Sequence, residues 1–189
     1  MQTPPTYRAY SIVKGSEIHF LTLTVVDWLD VFVRPEFARH VLESLAYCIT
    51  HKGLQLHAWV LMTSHLHLMA SPQQGHDLSA ILRDFKKFTA RQILTDLTQA
   101  RVNESRAQAF LNAFGWHGIH NPNNEQYQLW QGDNHAVHVH SRDFAEQKLG
   151  YIHQNPVVVG WVEEPWHYRY SSAVDYMTER KGLLPVCLL

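Results

Sequence analysis

The chain has 189 residues, of which 46% are hydrophobic and 17% charged, a composition that supports a packed core and excludes a disordered chain. Its formal net charge of -1 excludes a protein held on nucleic acid by overall charge, so a nucleic-acid site must be a local patch. The two cysteines, Cys48 and Cys187, cannot build a disulfide framework, and no long apolar segment is apparent. These features predict a reduced, cytoplasmic protein.

The first half of the chain alternates strand and helix patterns. Residues 17–26 alternate apolar residues with threonine and predict a strand, and residues 34–51 have the spacing of a helix. Residues 54–70 are apolar enough for two strands, with Thr63 and Ser64 at the turn between them. Residues 77–97 predict a second, longer helix.

The second half predicts shorter elements. A helix is expected over residues 101–115, followed by an exposed loop over 115–124 and short strands at 127–130 and 136–139. A last helix is expected from Ser141, its N-cap, to about Asn155, where Pro156 stops it. Together these elements predict an α+β fold with a ferredoxin-like split βαβ antiparallel sheet and helices on one face.

Two histidines on the predicted hairpin are candidates for metal binding. His65 and His67 are two residues apart, so on a strand both imidazoles project from the same face, roughly 7 Å apart along the backbone. Such a pair can share one metal ion. It can equally be a pair of half-exposed strand histidines, and the spacing alone does not distinguish these interpretations.

A tyrosine and an asparagine on the last predicted helix form the second candidate group. Tyr151 and Asn155 are four residues apart and therefore lie on one face of a helix. An amide oxygen at the negative end of the helix dipole can bind a cation. The local pattern also fits a core aromatic residue and an ordinary C-cap.

Five segments carry a resemblance to a known family. They are WVLMTSHLHLM at residues 59–69, LRDFKKFTARQI at 82–93, LWQGDNHAV at 129–137, LGYIHQNPVVVGWV at 149–162 and YRYSSAVDY at 168–176. In order and spacing they resemble the single-tyrosine HUH transposases of the IS200-like family, and most closely the REP-associated tyrosine transposases. The resemblance covers most of the chain.

The resemblance implies a role for each candidate residue. His65, His67 and Asn155 would bind a divalent metal, Mg²⁺ or Mn²⁺, and Tyr151 would be the nucleophile. The family cuts single-stranded DNA, often beside a hairpin, and forms a 5′-phosphotyrosine intermediate. By this resemblance, residues 1–189 form a single HUH nuclease-like domain with its catalytic core at about 17–178. Whether the site is completed within one chain or across a homodimer stays open.

The second predicted helix carries a local excess of positive charge. Residues 83–91 contain four cations and one carboxylate, so their local net charge is +3. The cations are Arg83, Lys86, Lys87 and Arg91, and the carboxylate is Asp84. We expect phosphate contacts from these cations, and Phe88 is expected to turn to the core together with Phe85. Among the tryptophans, Trp130 is the candidate for stacking on exposed bases. An ordinary solvated helix face is the alternative.

Two other functions compete with a DNA-cutting enzyme. One is a regulator that binds DNA hairpins or RNA on the same fold without cleavage, which would be favoured if Tyr151 were buried away from the two histidines. The other is a zinc-stabilised structural protein, which needs four closed ligands where the sequence offers three.

Overall fold

The computed structural model describes residues 11–99, 104–122 and 126–189. The strands are β1 (His19–Thr24), β2 (Leu54–Leu61), β3 (His65–Pro72) and β4 (Val137–His138). The helices are α1 (Pro35–His51), α2 (Leu78–Thr98), α3 (Ala107–Ile119), α4 (Arg142–Val158) and α5 (Ala173–Met177). Within the described ranges, no helix combines the length and apolar character needed to cross a membrane.

The four strands form one sheet in the order β2-β3-β1-β4, and every neighbouring pair is antiparallel. Because β3 lies between β1 and β2, the helix α1 joins two parallel strands that are separated by a third. This is the split βαβ arrangement, so the predicted α+β fold with an antiparallel sheet is confirmed. In the register of β1 with β3, Thr22 lies opposite His67 and Thr24 opposite His65.

The two faces of the sheet are covered by different helices. Leu21 and Leu23 of β1 and Leu66 and Leu68 of β3 belong to the larger core, which contains the apolar residues of α1, α2 and α3. The alternate positions, including Phe20 and Met69, form a smaller core with Ala145 and Ile152 of α4. The prediction that helices cover one face therefore holds for α1 and α2, whereas α4 lies on the opposite face.

Helix α4 begins where the sequence predicts but continues past the expected end. The Ser141 side chain accepts a hydrogen bond from the Phe144 amide at 3.2 Å, as an N-cap does. Pro156 lies inside the helix instead of stopping it, so that prediction is wrong. The helix ends at Val158, and Gly160 follows with a φ of 77°, a left-handed conformation that favours glycine.

The segment after α2 also differs from the prediction. Helix α3 extends through Gly115 and Gly118 to Ile119, where an exposed loop was expected. At Gly118, a Cβ atom would lie 2.2 Å from the Gln126 carbonyl oxygen, so the absence of a side chain lets the backbone at Gln126 pack directly on the helix. Of the strand predicted at 127–130, only an isolated bridge between Trp130 and Val25 forms.

Candidate active site

The two histidines of β3 lie side by side on the face of the sheet that α4 covers. The ring centroids of His65 and His67 are 4.7 Å apart with an interplanar angle of 74°. Because strand residues alternate between faces, both rings share the face of Met69, whose side chain packs in the core with α4. Both imidazoles therefore project from one face of the sheet, as predicted.

Hydroxyl groups orient both imidazole rings. Thr22 Oγ1 on the neighbouring strand lies 2.9 Å from Nδ1 of His67, and Ser64 Oγ lies 3.2 Å from Nδ1 of His65. Among the described residues no hydrogen bond occupies the Nε2 atoms, so each can donate a lone pair in the tautomer whose Nδ1–H donates to the hydroxyl group. Metal-binding histidines are commonly oriented in this way, with the second ring nitrogen held by a polar neighbour.

Burial keeps both histidines uncharged. It lowers the pKa of His65 from 6.5 to about 4, against a smaller opposing effect of the Asp30 carboxylate. Burial, together with the nearby His65 and Lys148, lowers the pKa of His67 to about 3. A histidine must be neutral to bind a metal ion, so at neutral pH both rings are in the protonation state that a metal site requires.

Tyr151 projects from α4 towards His67. The two ring centroids are 5.1 Å apart with an interplanar angle of 72°, and the Tyr151 ring also meets the edge of Phe20 at 5.8 Å. Half of the Tyr151 residue is exposed, so its hydroxyl group can reach a ligand from solvent. The next residue, Ile152, is fully buried and anchors this part of the helix on the sheet.

Asn155 lies in the last turns of α4, one turn after Tyr151 and on the same face. Its side chain is partly exposed. His153, between the two, faces elsewhere: it is buried, and its Nε2 atom lies 2.9 Å from Ser172 Oγ. Within the described ranges, no group of three or more histidine, cysteine, aspartate or glutamate side chains is arranged to hold a metal ion. A site at His65 and His67 would thus take a different third ligand, for which the Asn155 amide has a suitable oxygen.

Lys148, which was not among the predicted site residues, adds a positive charge beside Tyr151. Its Nζ atom lies 4.9 Å from the ring centroid of Phe20 and 5.9 Å from that of Tyr151. It also contacts Phe144 at 5.1 Å. These cation–π contacts hold the ammonium group beside the candidate nucleophile. Its proximity to Tyr151 could have been predicted from the sequence, because residues three apart lie on one face of a helix.

The basic face of α2 borders a groove on the other side of the sheet. The groove has a volume of about 1040 Å³ and lies between α2 and residues 126–134. Arg83, Lys87 and Arg91 line it and are exposed. Among the described residues that line this groove, none is a carboxylate, so its electrostatic potential favours an anion.

Lys86 is in a different environment from the other three cations. Its Nζ atom donates hydrogen bonds to the Gln131 carbonyl at 2.6 Å and to Asn134 Oδ1 at 2.9 Å. Burial lowers the pKa of this lysine to about 8. Lys86 therefore ties the segment 126–134 to α2, and its predicted contact with phosphate is not supported by the structure.

Two aromatic residues also depart from the expectation. Trp130 is 4% exposed, and its indole N–H donates to Thr89 Oγ1 at 2.9 Å, so it cannot stack on a base and the prediction for it is wrong. Phe88, expected in the core, is 48% exposed, whereas Phe85 is buried as predicted.

The sequence model of the family "Transposase IS200 like" matches residues 13–127. That span is more than half of the chain and includes His65 and His67, but it ends before α4. No curated protein matches the chain.

The solved structures similar to this chain include two transposases. One is that of a REP-associated tyrosine transposase bound to a REP hairpin: the TM-score is 0.60 at 18% identity, over 88% of this chain and 81% of that chain. The other is described as a transposase from Deinococcus radiodurans R1, with a TM-score of 0.43 at 16% identity, over 80% of this chain and 95% of that chain. The first shares the fold, and the second is too distant to support an argument. On the family match, this chain belongs to the IS200-like transposases.

Proposed function

We propose that the protein is a metal-dependent single-stranded DNA endonuclease and strand transferase that acts through a 5′-phosphotyrosine. The observation that carries this proposal is the contact between Tyr151 and His67, with ring centroids 5.1 Å apart and the tyrosine half exposed. A nucleophile beside two neutral imidazoles is the arrangement that metal-assisted attack on a phosphodiester needs.

His65, His67 and Asn155 would hold the metal ion, Mg²⁺ or Mn²⁺, through two Nε2 atoms and an amide oxygen. When bound, such an ion would polarise the scissile phosphate and neutralise the charge that grows on its oxygens. Thr22 and Ser64 keep the two rings in the orientation that leaves the Nε2 atoms free. The burial of His65 and His67 keeps both rings unprotonated for this role.

Tyr151 would attack the phosphorus atom through its hydroxyl oxygen. The bond from that oxygen to phosphorus forms while the bond from phosphorus to the 3′ oxygen breaks, and the proton of the phenol is balanced by the proton gained by the departing 3′ hydroxyl. One phosphoester bond replaces another, so the reverse attack by a 3′ hydroxyl rejoins a strand without an external energy source. The anchored helix position of Tyr151 limits the motion of the nucleophile.

Lys148 would contribute electrostatically at the same place. Its ammonium group lies beside the Tyr151 ring, where it can attract the charged phosphate of an incoming strand and offset negative charge during the transfer. A cation beside a metal site is otherwise unfavourable, because it repels the metal ion. The position of Lys148 therefore fits a site that binds a polyanion, because the negative charge of the ligand offsets this repulsion.

The DNA would also contact the basic groove of α2. Arg83, Lys87 and Arg91 line this groove on the sheet face opposite α4, and its described lining residues include no carboxylate. Beside the groove, Arg83 pairs with Asp84 at 3.4 Å. Because this groove and the histidine site lie on opposite faces of the sheet, we propose that the groove binds flanking DNA and not the scissile phosphate. The similar REP-associated transposase was solved with a REP hairpin, which supports hairpin DNA as the partner.

The competing regulator hypothesis would be favoured by a Tyr151 that is buried away from the histidines. Tyr151 is instead half exposed and in contact with His67, which favours the enzyme. A binding protein has no physical need for an exposed phenol beside two free imidazole nitrogen atoms.

The test is a search for covalent protein–DNA adducts. The protein is incubated with a library of end-labelled single-stranded DNA hairpins and Mn²⁺ or Mg²⁺, and adducts are separated under denaturing conditions. We expect adducts that require the metal ion and that carry the label when it lies 3′ of the cut. Specific binding to hairpins without any adduct under either metal would support the regulator and contradict the proposal.

A further inference from the structure

The turn that follows β1 holds two consecutive residues in an unusual backbone conformation. Asp27 has a φ of 54° and Trp28 a φ of 55°, both in the left-handed region. Aspartate tolerates this region better than most residues, but for a bulky side chain such as tryptophan it is unfavourable. Conformations of this kind persist only where the surrounding structure enforces them, and they concentrate at functional sites.

Contacts from two other parts of the chain enforce the turn. The Asp27 carboxylate accepts a hydrogen bond from His117 of α3, with Nε2 and Oδ1 2.8 Å apart. The Val26 amide donates to the Leu129 carbonyl at 2.9 Å, and the Trp28 amide donates to the Val25 carbonyl at 3.1 Å. The strained conformation is thus held in place before any ligand binds.

The consequence of the turn is the position of the Trp28 indole. Thr24, the last residue of β1, is opposite His65 in the sheet, and the turn brings Trp28 back over that histidine. The two ring centroids are 5.2 Å apart with an interplanar angle of 71°. Trp28 is nevertheless 57% exposed, although a large aromatic side chain is normally buried to a much greater extent.

We propose that Trp28 is a stacking platform for a base of single-stranded DNA next to the scissile phosphate. This inference rests on the proposed function, because it places the phosphate at His65, His67 and Tyr151. An exposed indole at the edge of that site offers a flat apolar face to an unpaired base, and stacking tolerates any base because every base has a π face. Trp28 would position the strand without taking part in the chemistry, which is the role that the buried Trp130 cannot perform.

Binding of two probe strands by variants tests this proposal without requiring cleavage. The probes are a fluorescein-labelled oligothymidylate and a strand of the same length with abasic sites throughout, and all variants carry Tyr151→Phe. We expect Trp28→Ala to weaken binding of oligothymidylate by roughly 5- to 150-fold and to leave binding of the abasic strand unchanged. Trp28→Phe should restore most of the affinity, since it retains a stacking ring.

Tyr47→Ala is the control, because Tyr47 is also an exposed aromatic residue, at 52%, but lies on α1, and it should bind both strands as the parent does. Circular dichroism verifies that each variant is folded. Equal binding of oligothymidylate by Trp28→Ala and the parent would overturn the proposal. Equal weakening on both strands would also overturn it, because the effect would then not depend on a base.

Photocrosslinking supplies an independent measurement. A single-stranded oligonucleotide that contains 5-iododeoxyuridine should crosslink to a peptide that includes Trp28, identified by mass spectrometry, and a crosslink confined to other tryptophans would contradict the proposal. These outcomes distinguish a failure of the proposed enzymatic function from a failure of the proposed Trp28 platform. Base-dependent binding through Trp28, with no covalent adducts formed by the protein that retains Tyr151, would contradict the enzyme alone. Adducts formed by the protein that retains Tyr151, with no effect of Trp28→Ala on binding, would contradict the platform alone.

Discussion

The aromatic ring of Tyr151 meets that of His67 nearly at a right angle, with the centroids 5.1 Å apart. These residues are far apart in the sequence and lie on α4 and β3, which pack together through a small apolar core that includes Ile152 and Met69. The packing of one helix on one sheet face thus brings the proposed nucleophile to the two histidines proposed as metal ligands.

The first prediction concerns the metal ligands. His65→Ala removes a proposed ligand, and Thr22→Val removes the hydroxyl that orients His67. We expect His65→Ala to abolish measurable Mn²⁺ binding in titration calorimetry and Thr22→Val to weaken it by about 10- to 100-fold, as is usual for a partner of a ligand. His51→Ala, at an exposed histidine of α1, is the control. If His65→Ala binds Mn²⁺ as tightly as the parent, the ligand assignment is wrong.

The second prediction concerns the pH dependence of metal binding. In the folded protein the pKa of His65 is about 4 and that of His67 about 3, below the ordinary value of 6.5. Both rings therefore stay uncharged from about pH 7 to about pH 5, and a metal ion displaces no proton from them in that range. We expect the Mn²⁺ affinity to change little across this interval. A loss of about tenfold per pH unit that begins near pH 6.5 would indicate that a ligand titrates normally.

The third prediction concerns the basic groove. Arg83→Ala, Lys87→Ala and Arg91→Ala should each weaken DNA binding and reduce the slope of log affinity against log salt. The expected reduction is about 0.7 per lost contact with a single strand and about 0.9 with a duplex, because fewer counterions are released. Arg39→Ala, at an exposed arginine of α1 paired with Glu43, should leave the slope unchanged. An unaltered slope in all three variants would assign the DNA path to another surface.

The fourth prediction separates Lys86 from its neighbours. Lys86→Ala removes the charged donor to the Gln131 carbonyl and to Asn134, so two partly buried acceptors lose this partner. We expect the free energy of unfolding, measured in urea, to fall by about 1–3 kcal/mol, with the salt slope of DNA binding unchanged in the folded protein. If the variant has the parent's free energy of unfolding but a reduced salt slope of DNA binding, Lys86 contacts phosphate and its proposed structural role is wrong.

The sequence predicted most accurately the features that depend on local patterns. The hairpin that carries His65 and His67 and the long helix α2 follow from alternation and helical spacing within a few residues of each position. The shared face of the two histidines needed nothing beyond the strand period. The predicted end of α4 is wrong because the helix accommodates Pro156 and ends at Val158, before the positive φ of Gly160.

The environments of the aromatic side chains could not be predicted in the same way. Trp130 lies in a polar stretch, yet it packs in the core because its indole finds an acceptor in Thr89. Trp28 follows an apolar strand, yet it is exposed because the backbone turns at Asp27. Both outcomes depend on contacts with residues distant in the sequence. The proximity of Tyr151 to His67 could be predicted only from the resemblance to the family.

The most direct test of the account compares Tyr151→Phe with Tyr47→Phe in the covalent-adduct assay. Tyr47 is 52% exposed, close to the 50% of Tyr151, but it lies on α1. We expect Tyr151→Phe to keep its fold, its Mn²⁺ affinity and most of its DNA affinity while adduct formation and cleavage disappear, since only the attacking oxygen is removed. Tyr47→Phe should form adducts at the parent rate. Cleavage of single-stranded DNA by Tyr151→Phe at the parent rate would contradict the account, because water or another residue would then be the nucleophile.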